Sequence, residues 1–299
     1  MALVAMKELL EDAQRRGYAV GYFESWNLES VQAVVDAAEE ERSPIIIGFG
    51  GDFLLSKDRL DKVPLEHYAA IGRAAAETAR VPVALLLNET SDFEVVIRGV
   101  RLGFTGVMFE NPKLNPKEHT ATIKEIVRVA HAVGVSVEAM SGELGTSLDG
   151  TGRRVEAGHL TDPEETTRFA EETGVDALAV AIGNVHTLMS AKATIDFDLL
   201  AKIREATDVP LVAHGGTGFA YNDLQKAIRM GICKVNVGAI FKRVYIEGMK
   251  ALLDGITGFV NPHDLLGAGG PSDIMTAGKL RMKEKARELI RVCGSDGKA

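Results

Sequence analysis

Two histidines follow apolar runs of the chain at points where side chains commonly bind ligands. His186 comes shortly after residues 177–182, and His214 comes directly after residues 210–213. If both runs are neighbouring parallel strands, their carboxyl ends meet at one mouth and the two side chains can converge. Two histidines and a carboxylate in such a place have the composition of a metal site with open coordination positions.

Acids and amides stand at the ends of other apolar runs in the same way. These residues are Asn88, Glu89, Glu110, Glu138 and, a little further along the chain, Glu143. A carboxylate at a barrel mouth can bind a cation or carry a proton, whereas an amide can only form hydrogen bonds. The pattern therefore predicts a polar mouth that suits acid–base chemistry.

A glycine-rich stretch and a second short segment have the features of an anion site. The residues concerned are Gly215, Gly216, Thr217 and Gly218, followed later by Asn236, Gly238 and Ala239. Glycines let the backbone approach an anion, successive N–H groups form a concave nest, and the threonine hydroxyl adds a donor. Barrels often bind phosphate between their last two strands, so we expect phosphate or another anion here.

The elements that position these residues repeat along the whole chain. Eight apolar runs alternate with helical patterns, at residues 19–23, 44–49, 81–87, 106–109, 136–139, 177–182, 210–213 and 234–237. Apolar runs without alternation are typical of parallel strands covered on both faces. Eight such units without a dividing linker predict a single (β/α)8 TIM barrel over residues 1–299 rather than a doubly wound sheet.

Two segments lie outside this repeat. Residues 271–292 have the periodicity of an extra C-terminal helix. Residues 141–159 are rich in glycine and polar side chains, which is typical of an irregular, mobile loop over a barrel mouth.

Composition limits the kinds of partner. The formal net charge of -8 argues against nucleic acid, because phosphate neutralisation requires clustered lysine and arginine. No apolar segment approaches the roughly 18 residues that span a bilayer, and residues 1–17 have an amphipathic helical pattern rather than that of a signal peptide. Cys233 and Cys293 lack metal-ligand spacing and are expected to be reduced thiols. We therefore expect a cytoplasmic protein with a small-molecule ligand and no membrane partner.

Longer stretches of the chain have a family resemblance. They include GYAVGYFESWNLESVQAVVDAAEEERSPIII, DALAVAIGNVH, LVAHGGTG and KVNVG. On these stretches the chain resembles the zinc-dependent class II aldolases, which include fructose-bisphosphate and tagatose-bisphosphate aldolases. The resemblance implies a barrel that binds a divalent metal through His186 and His214, holds a sugar phosphate at the GGTG and NVG segments, and assembles as a homodimer or homotetramer.

The stretch Leu86-Leu-Asn-Glu-Thr90 departs from this family, whose members typically read HLDHG there. Asn88 takes the place of the proton-transferring aspartate, and Glu89 takes that of a third metal histidine. An amide cannot exchange a proton near neutral pH, while a carboxylate can still bind zinc but reduces its Lewis acidity. The expected ligands are therefore His186, His214 and Glu89, which suit zinc and are compatible with manganese, cobalt or ferrous iron.

Other departures surround the expected substrate. The family's HGLYK is replaced by His186-Thr-Leu-Met-Ser190, which lacks the phosphate-binding lysine, and Lys192 is the expected substitute. Ala239 stands where the family has a threonine, and Glu110 replaces a shorter acid. Glu24 and Ser25 stand in place of a pair that contains asparagine.

Three functions remain open on these grounds. The first is an aldolase-like lyase that acts on a ketose phosphate or a related sugar acid through a metal-stabilised enediolate. Its candidate catalytic residues are Asn88, Glu89, Glu110, Glu138 and Glu143. The second is an epimerase or isomerase that forms the same enediolate without cleaving a bond. The third is a non-catalytic barrel that binds a phosphorylated sugar or supports a partner enzyme, and the loss of both the acid at Asn88 and the histidine ligand at Glu89 motivates it.

Overall fold

The computed structural model describes residues 2–156 and 158–299, and in this part of the chain eight parallel strands close into a barrel. The strands in chain order are β1 (Val20–Glu24), β2 (Ile45–Gly50), β3 (Val83–Thr90), β4 (Gly106–Phe109), β5 (Ser136–Ser141), β6 (Gly145–Ser147), β7 (Val155–Glu156), β8 (Ala177–Val180), β9 (Val185–His186), β10 (Leu211–Ala213) and β11 (Ile232–Val237). The barrel order is β1-β2-β3-β4-β5-β8-β10-β11, and β11 pairs with β1. The predicted (β/α)8 barrel is confirmed.

One helix, α1, precedes the first strand, and most of the other helices follow barrel strands and cover the outside of the barrel. They are α1 (Met6–Arg16), α2 (Leu28–Glu41), α3 (Gly51–Leu54), α4 (Leu65–Thr78), α5 (Phe93–Leu102), α6 (Pro116–His131), α7 (Pro163–Thr173), α8 (Phe197–Ala206), α9 (Tyr221–Arg229), α10 (Ala239–Asp254), α11 (Pro262–Leu265) and α12 (Ile274–Cys293). The helix predicted near the C-terminus is α12, which packs on α2 and α10. Within the described residues, no helix combines the length and apolar character needed to cross a membrane.

The alternation of side chains along each strand places polar groups above an apolar floor. Ala84 and Leu86 of β3 belong to the cluster that fills the barrel interior, together with Met6 and Leu10 of α1. Because successive side chains of a strand point to opposite faces, Asn88 shares the inward face of Leu86. The same alternation points Glu138 of β5 and Lys234 and Asn236 of β11 inward. The two-residue period of the strands therefore produces a polar layer at the mouth.

The segment between β5 and α7 is more regular than predicted. We expected residues 141–159 to be irregular, but β6 and β7 form an antiparallel pair, and β6 also pairs in parallel with β9. Ala157 lies outside the described residues. His186 does not follow a barrel strand directly, because it lies on β9, beyond the end of β8, where it pairs with Thr146 of β6.

Candidate metal centre at the barrel mouth

Three predicted ligands converge at the barrel mouth. Glu89 lies near the end of β3, His186 on β9 and His214 directly after β10, and each offers one ligand atom within 4.8 Å of the others. His214 Nδ1 lies 3.2 Å from Glu89 Oε1, and the two imidazole rings are perpendicular, with centroids 5.9 Å apart. Two imidazoles and one carboxylate are a donor set that fits zinc and other divalent transition metals.

The orientation of His214 is fixed from behind by a buried carboxylate. His214 Nε2 lies 2.9 Å from Glu138 Oε1, and both residues are fully buried. When the Nε2–H group donates to Glu138, the lone pair of Nδ1 faces Glu89. A histidine that binds a metal usually donates its second ring N–H to a carboxylate in this way, which fixes its tautomer.

A buried lysine supports Glu138 in turn. Lys234 Nζ of β11 lies 2.7 Å from Glu138 Oε2 and donates to Asn236 Oδ1 at 2.6 Å. Burial alone would raise the pKa of the Glu138 carboxyl, but Lys234 and His214 outweigh it and lower that pKa below its usual range. Lys234 was not among the predicted site residues, although a lysine two residues before Asn236 in an apolar strand shares its inward face.

Because of the charges around His214, a proton and a metal cation compete for its imidazole ring. Burial lowers the pKa of the imidazole, but its hydrogen bonds to Glu138 and Glu89 outweigh burial and raise that pKa above its usual value. Burial would raise the pKa of Glu89, yet the contact with His214 lowers it. Glu89 is thus an anion at neutral pH, which suits a ligand, and a cation at this place must displace the proton of His214.

The glycine-rich turn lies beside this centre. Gly216–Gly218 form one 3₁₀ turn, and Gly215 before it has a φ of 65°. A Cβ atom on Gly215 would lie 2.5 Å from the carbonyl oxygen of Val185, so the close approach to β9 requires glycine. Within residues 2–156 and 158–299, the N–H groups of Gly216 and Thr217 donate to no protein group.

Other predicted anion-binding groups are already engaged. Lys192 Nζ donates to the carbonyl oxygen of Phe219 at 2.9 Å, just past the turn. Ile240 N–H, in the first turn of α10, donates to Thr217 Oγ1 at 3.4 Å. Gly238 and Ala239 offer backbone N–H groups but no hydroxyl.

Comparison with known proteins agrees with this geometry. The family model described as fructose-bisphosphate aldolase class-II matches residues 4–298. The chain belongs to the class II fructose-bisphosphate aldolase family. Enzymes of this family are metal-dependent, and the three converging side chains form a possible metal site.

Solved structures of aldolases have the same fold. The YdjI aldolase from Escherichia coli K12 is 31% identical, with 99% of each chain covered and a TM-score of 0.80. A putative fructose-1,6-biphosphate aldolase from Coccidioides immitis is 25% identical, covers 98% of this chain and 97% of its own, and has a TM-score of 0.79. Fructose-bisphosphate aldolase from Campylobacter jejuni, at 20% identity, matches 100% of this chain and 97% of its own with a TM-score of 0.77, which shows the fold alone.

Asn88 and Glu89, where the resemblance implies a departure from the family pattern, coincide with an irregularity of β3. The register between β3 and β4 shifts between Leu87 and Thr90, and Glu89 has a φ of 45°. Such a bulge turns a side chain away from its regular direction, and a positive φ on a residue other than glycine costs about 1–3 kcal/mol. Thr187, next to His186, also has a positive φ, of 60°. The backbone is therefore strained at or beside two of the three ligands.

Two further acids stand around the centre in different surroundings. Glu110 follows β4 and is half-buried, and burial raises the pKa of its carboxyl group. Glu143 follows β5 and is half exposed, and its carboxylate lies 3.7 Å from His159 Nε2. A cleft of about 690 Å³ runs past both residues toward His119 and Arg168. The two predicted proton carriers thus line one space that opens beside the mouth.

An ion pair at the end of β1 was not foreseen from the sequence as a pair. Lys242 Nζ of α10 lies 3.1 Å from each carboxylate oxygen of Glu24. Glu24 and Lys242 are separated by 218 positions, and the closure of the barrel through the β1–β11 pairing brings them together. Burial raises the pKa of the Glu24 carboxyl, and the Lys242 ammonium acts in the opposite direction.

Proposed function

We propose that this protein is a divalent-metal-dependent, aldolase-type lyase that cleaves a carbon–carbon bond of a ketose phosphate or a related sugar acid. The observation that carries the proposal is the convergence of Glu89, His186 and His214, with His214 Nε2 held 2.9 Å from the buried Glu138. The family supports an aldolase-like enzyme, and the donor set supports a metal, with zinc as the first choice.

In this proposal Glu89, His186 and His214 hold the cation. A divalent ion bound there supplies Lewis-acid stabilisation of the negative charge that develops on the substrate. Glu138 fixes the tautomer of His214, and Lys234 keeps Glu138 ionised in a fully buried position. The N–H groups of Gly216 and Thr217, with Asn236 nearby, bind one end of the substrate.

We assign the proton transfer to Glu110, because Asn88 cannot perform it. A half-buried carboxyl group whose pKa is raised accepts a proton more readily near neutral pH than an ordinary one. Glu110 accepts the proton of the substrate hydroxyl, the electron pair of the breaking carbon–carbon bond passes into an enediolate, and protonation of that carbon completes the reaction. Glu143 lines the same cleft and is the candidate for the acid that supplies this proton to the enediolate carbon.

The first experiment measures metal in the purified protein by elemental analysis, before and after chelation. We expect close to one divalent ion per chain, lower occupancy in Glu89→Ala and none in His186→Ala. Retention of full stoichiometry by Glu89→Ala would reject Glu89 as a ligand. Absence of metal from the wild-type protein under replete conditions would reject the lyase and favour a non-catalytic binding barrel.

Asn88 favours a second candidate function. If no group replaces the missing acid during bond cleavage, the same enediolate serves an epimerase or isomerase, which needs proton transfer only at carbon. Incubation of the metal-loaded protein with ketose phosphates and sugar acids in deuterated water distinguishes the two: cleavage releases an aldehyde, whereas epimerisation incorporates deuterium without fragments. A homodimer or homotetramer and a cytoplasmic location stay predictions.

A further inference from the structure

The Glu24–Lys242 ion pair lies at the rim of the predicted phosphate site. Both side chains are largely covered, with 18% of Glu24 and 34% of Lys242 exposed, and Lys242 Nζ also lies 4.3 Å from the ring centroid of Phe53. A pair held from two sides at this depth keeps one geometry, unlike an ion pair between exposed side chains.

Two glycines make room for the Glu24 carboxylate. A Cβ atom on Gly238 would lie 2.2 Å from Glu24 Oε2, and one on Gly50 would lie 3.2 Å from Glu24 Oε1. Gly238 directly precedes α10, whose first N–H groups and dipole favour a negative charge. The chain thus places its own carboxylate where the helix would otherwise attract a phosphate.

The cations that could attract a phosphate to this end of the site are already engaged. Lys242 is neutralised by Glu24, and Lys192 donates to the Phe219 carbonyl oxygen. The Ile240 N–H group donates to Thr217. What remains at this end of the site is a set of neutral N–H donors beside a carboxylate acceptor and an ammonium donor, which is a set that binds hydroxyl groups.

We propose that Glu24 determines substrate specificity by excluding a phosphate dianion, so that the end of the substrate held at Gly216, Thr217 and Gly238 is an uncharged, hydroxyl-bearing end. This inference rests on the proposed function, and it selects an unphosphorylated sugar or sugar acid over a sugar phosphate at that end. Glu24 provides the discrimination in two ways: it neutralises Lys242, the nearest ammonium group, and it places its own carboxylate oxygen beside Gly238.

The test compares the affinity of inorganic phosphate for the full-length wild-type protein, Glu24→Gln and Glu39→Gln by isothermal titration calorimetry. Glu39 is the matched control, because its carboxylate is similarly covered and pairs with Arg80 on the outside of the barrel. We expect phosphate to bind Glu24→Gln at least about tenfold more tightly than the wild type, with no change in Glu39→Gln. Titrations with and without added Zn²⁺ separate binding at the cation from binding at the turn.

Equal phosphate affinity of the wild type and Glu24→Gln would overturn the proposal, as would phosphate in wild-type crystals on the N–H groups of Gly216 and Thr217. If Glu24→Gln does not fold, the shorter Glu24→Asn replaces it in the same comparison. Phosphate binding does not require catalysis, so a failure here leaves the lyase proposal standing. In an active enzyme, Glu24→Gln should also shift the ratio of kcat/KM values toward a ketose 1-phosphate over the free ketose.

Discussion

Replacing Lys234 with methionine tests whether the buried Lys234–Glu138 pair stabilises the candidate metal centre. Lys234 Nζ and Glu138 Oε2 are 2.7 Å apart, and both side chains are fully buried. At an effective dielectric constant of about 20, two unit charges at this distance attract by roughly 6 kcal/mol. The loss of this attraction is partly offset, because methionine also removes the cost of burying the ammonium group. Removal of one partner of a buried pair therefore typically costs about 3–5 kcal/mol.

We expect the lower end of that range, about 3 kcal/mol, because Glu138 keeps its hydrogen bond to His214. At about 2 °C per kcal/mol for a chain of this size, the melting temperature should fall by roughly 6 °C in scanning calorimetry. The double variant Lys234→Met/Glu138→Gln carries no uncompensated charge and should recover most of the loss. Lys250→Met, which breaks an exposed pair with Asp254, is the control and should leave the melting temperature unchanged.

Metal affinity gives the second readout of the same variants. Loss of the carboxylate that orients a ligating histidine typically weakens metal binding by about 10–100-fold. Glu138→Gln should therefore bind zinc less tightly than the wild type, even in the double variant whose stability is restored. If Lys234→Met is as stable as the wild type, or if the double variant is no more stable than the single one, the buried pair is not what supports His214.

Three further predictions concern separate parts of the molecule. If Glu110 is the proton acceptor, its raised pKa means that it is protonated and inactive at low pH, so kcat/KM should rise with pH through a midpoint above 4.5, and Glu110→Gln should remove this limb. Arg42 ends α2 with a φ of 49°, which glycine adopts more easily than arginine. Arg42→Gly should therefore increase the free energy of unfolding by about 0.5–1 kcal/mol and raise the melting temperature. Asp176 is buried and lies 3.1 and 2.8 Å from the partly exposed Lys7 and His131, and it accepts the buried N–H of Val137, so Asp176→Ala should cost about 1–3 kcal/mol in urea unfolding by leaving that N–H group unpaired.

The architecture was predictable because every barrel strand is a short apolar run with a helix after it. The exceptions are local and have visible causes. β8 ends at Val180, two residues before the predicted end, because the Asn184 side chain accepts the N–H of Ile182 and donates to the carbonyl oxygen of Val180. β3 continues to Thr90, past the predicted end, because a shift of register keeps it paired with β4.

The site was predictable as a set of residues but not as a network. His186, His214 and Glu89 were found from their positions after apolar runs and from the family resemblance. Their supports were not, because Lys234 lies within a run that reads as ordinary strand. The positive φ of Glu89 also has no signal in residue type, since glutamate rarely adopts it.

The net charge at the barrel mouth connects the proposed roles of Glu89 and Glu24. A carboxylate at Glu89 in place of an imidazole lowers the net charge of a bound divalent centre by one. Two lysine–glutamate pairs at the mouth, the fully buried Lys234–Glu138 and the partly exposed Lys242–Glu24, are each neutral. Among the described residues Glu110 forms no ion pair, so it adds a negative charge beside the cleft whenever it is ionised. A mouth with less positive charge binds a phosphate dianion less well, so the carboxylates of Glu89 and Glu24 both act in the direction of the uncharged substrate end that we propose.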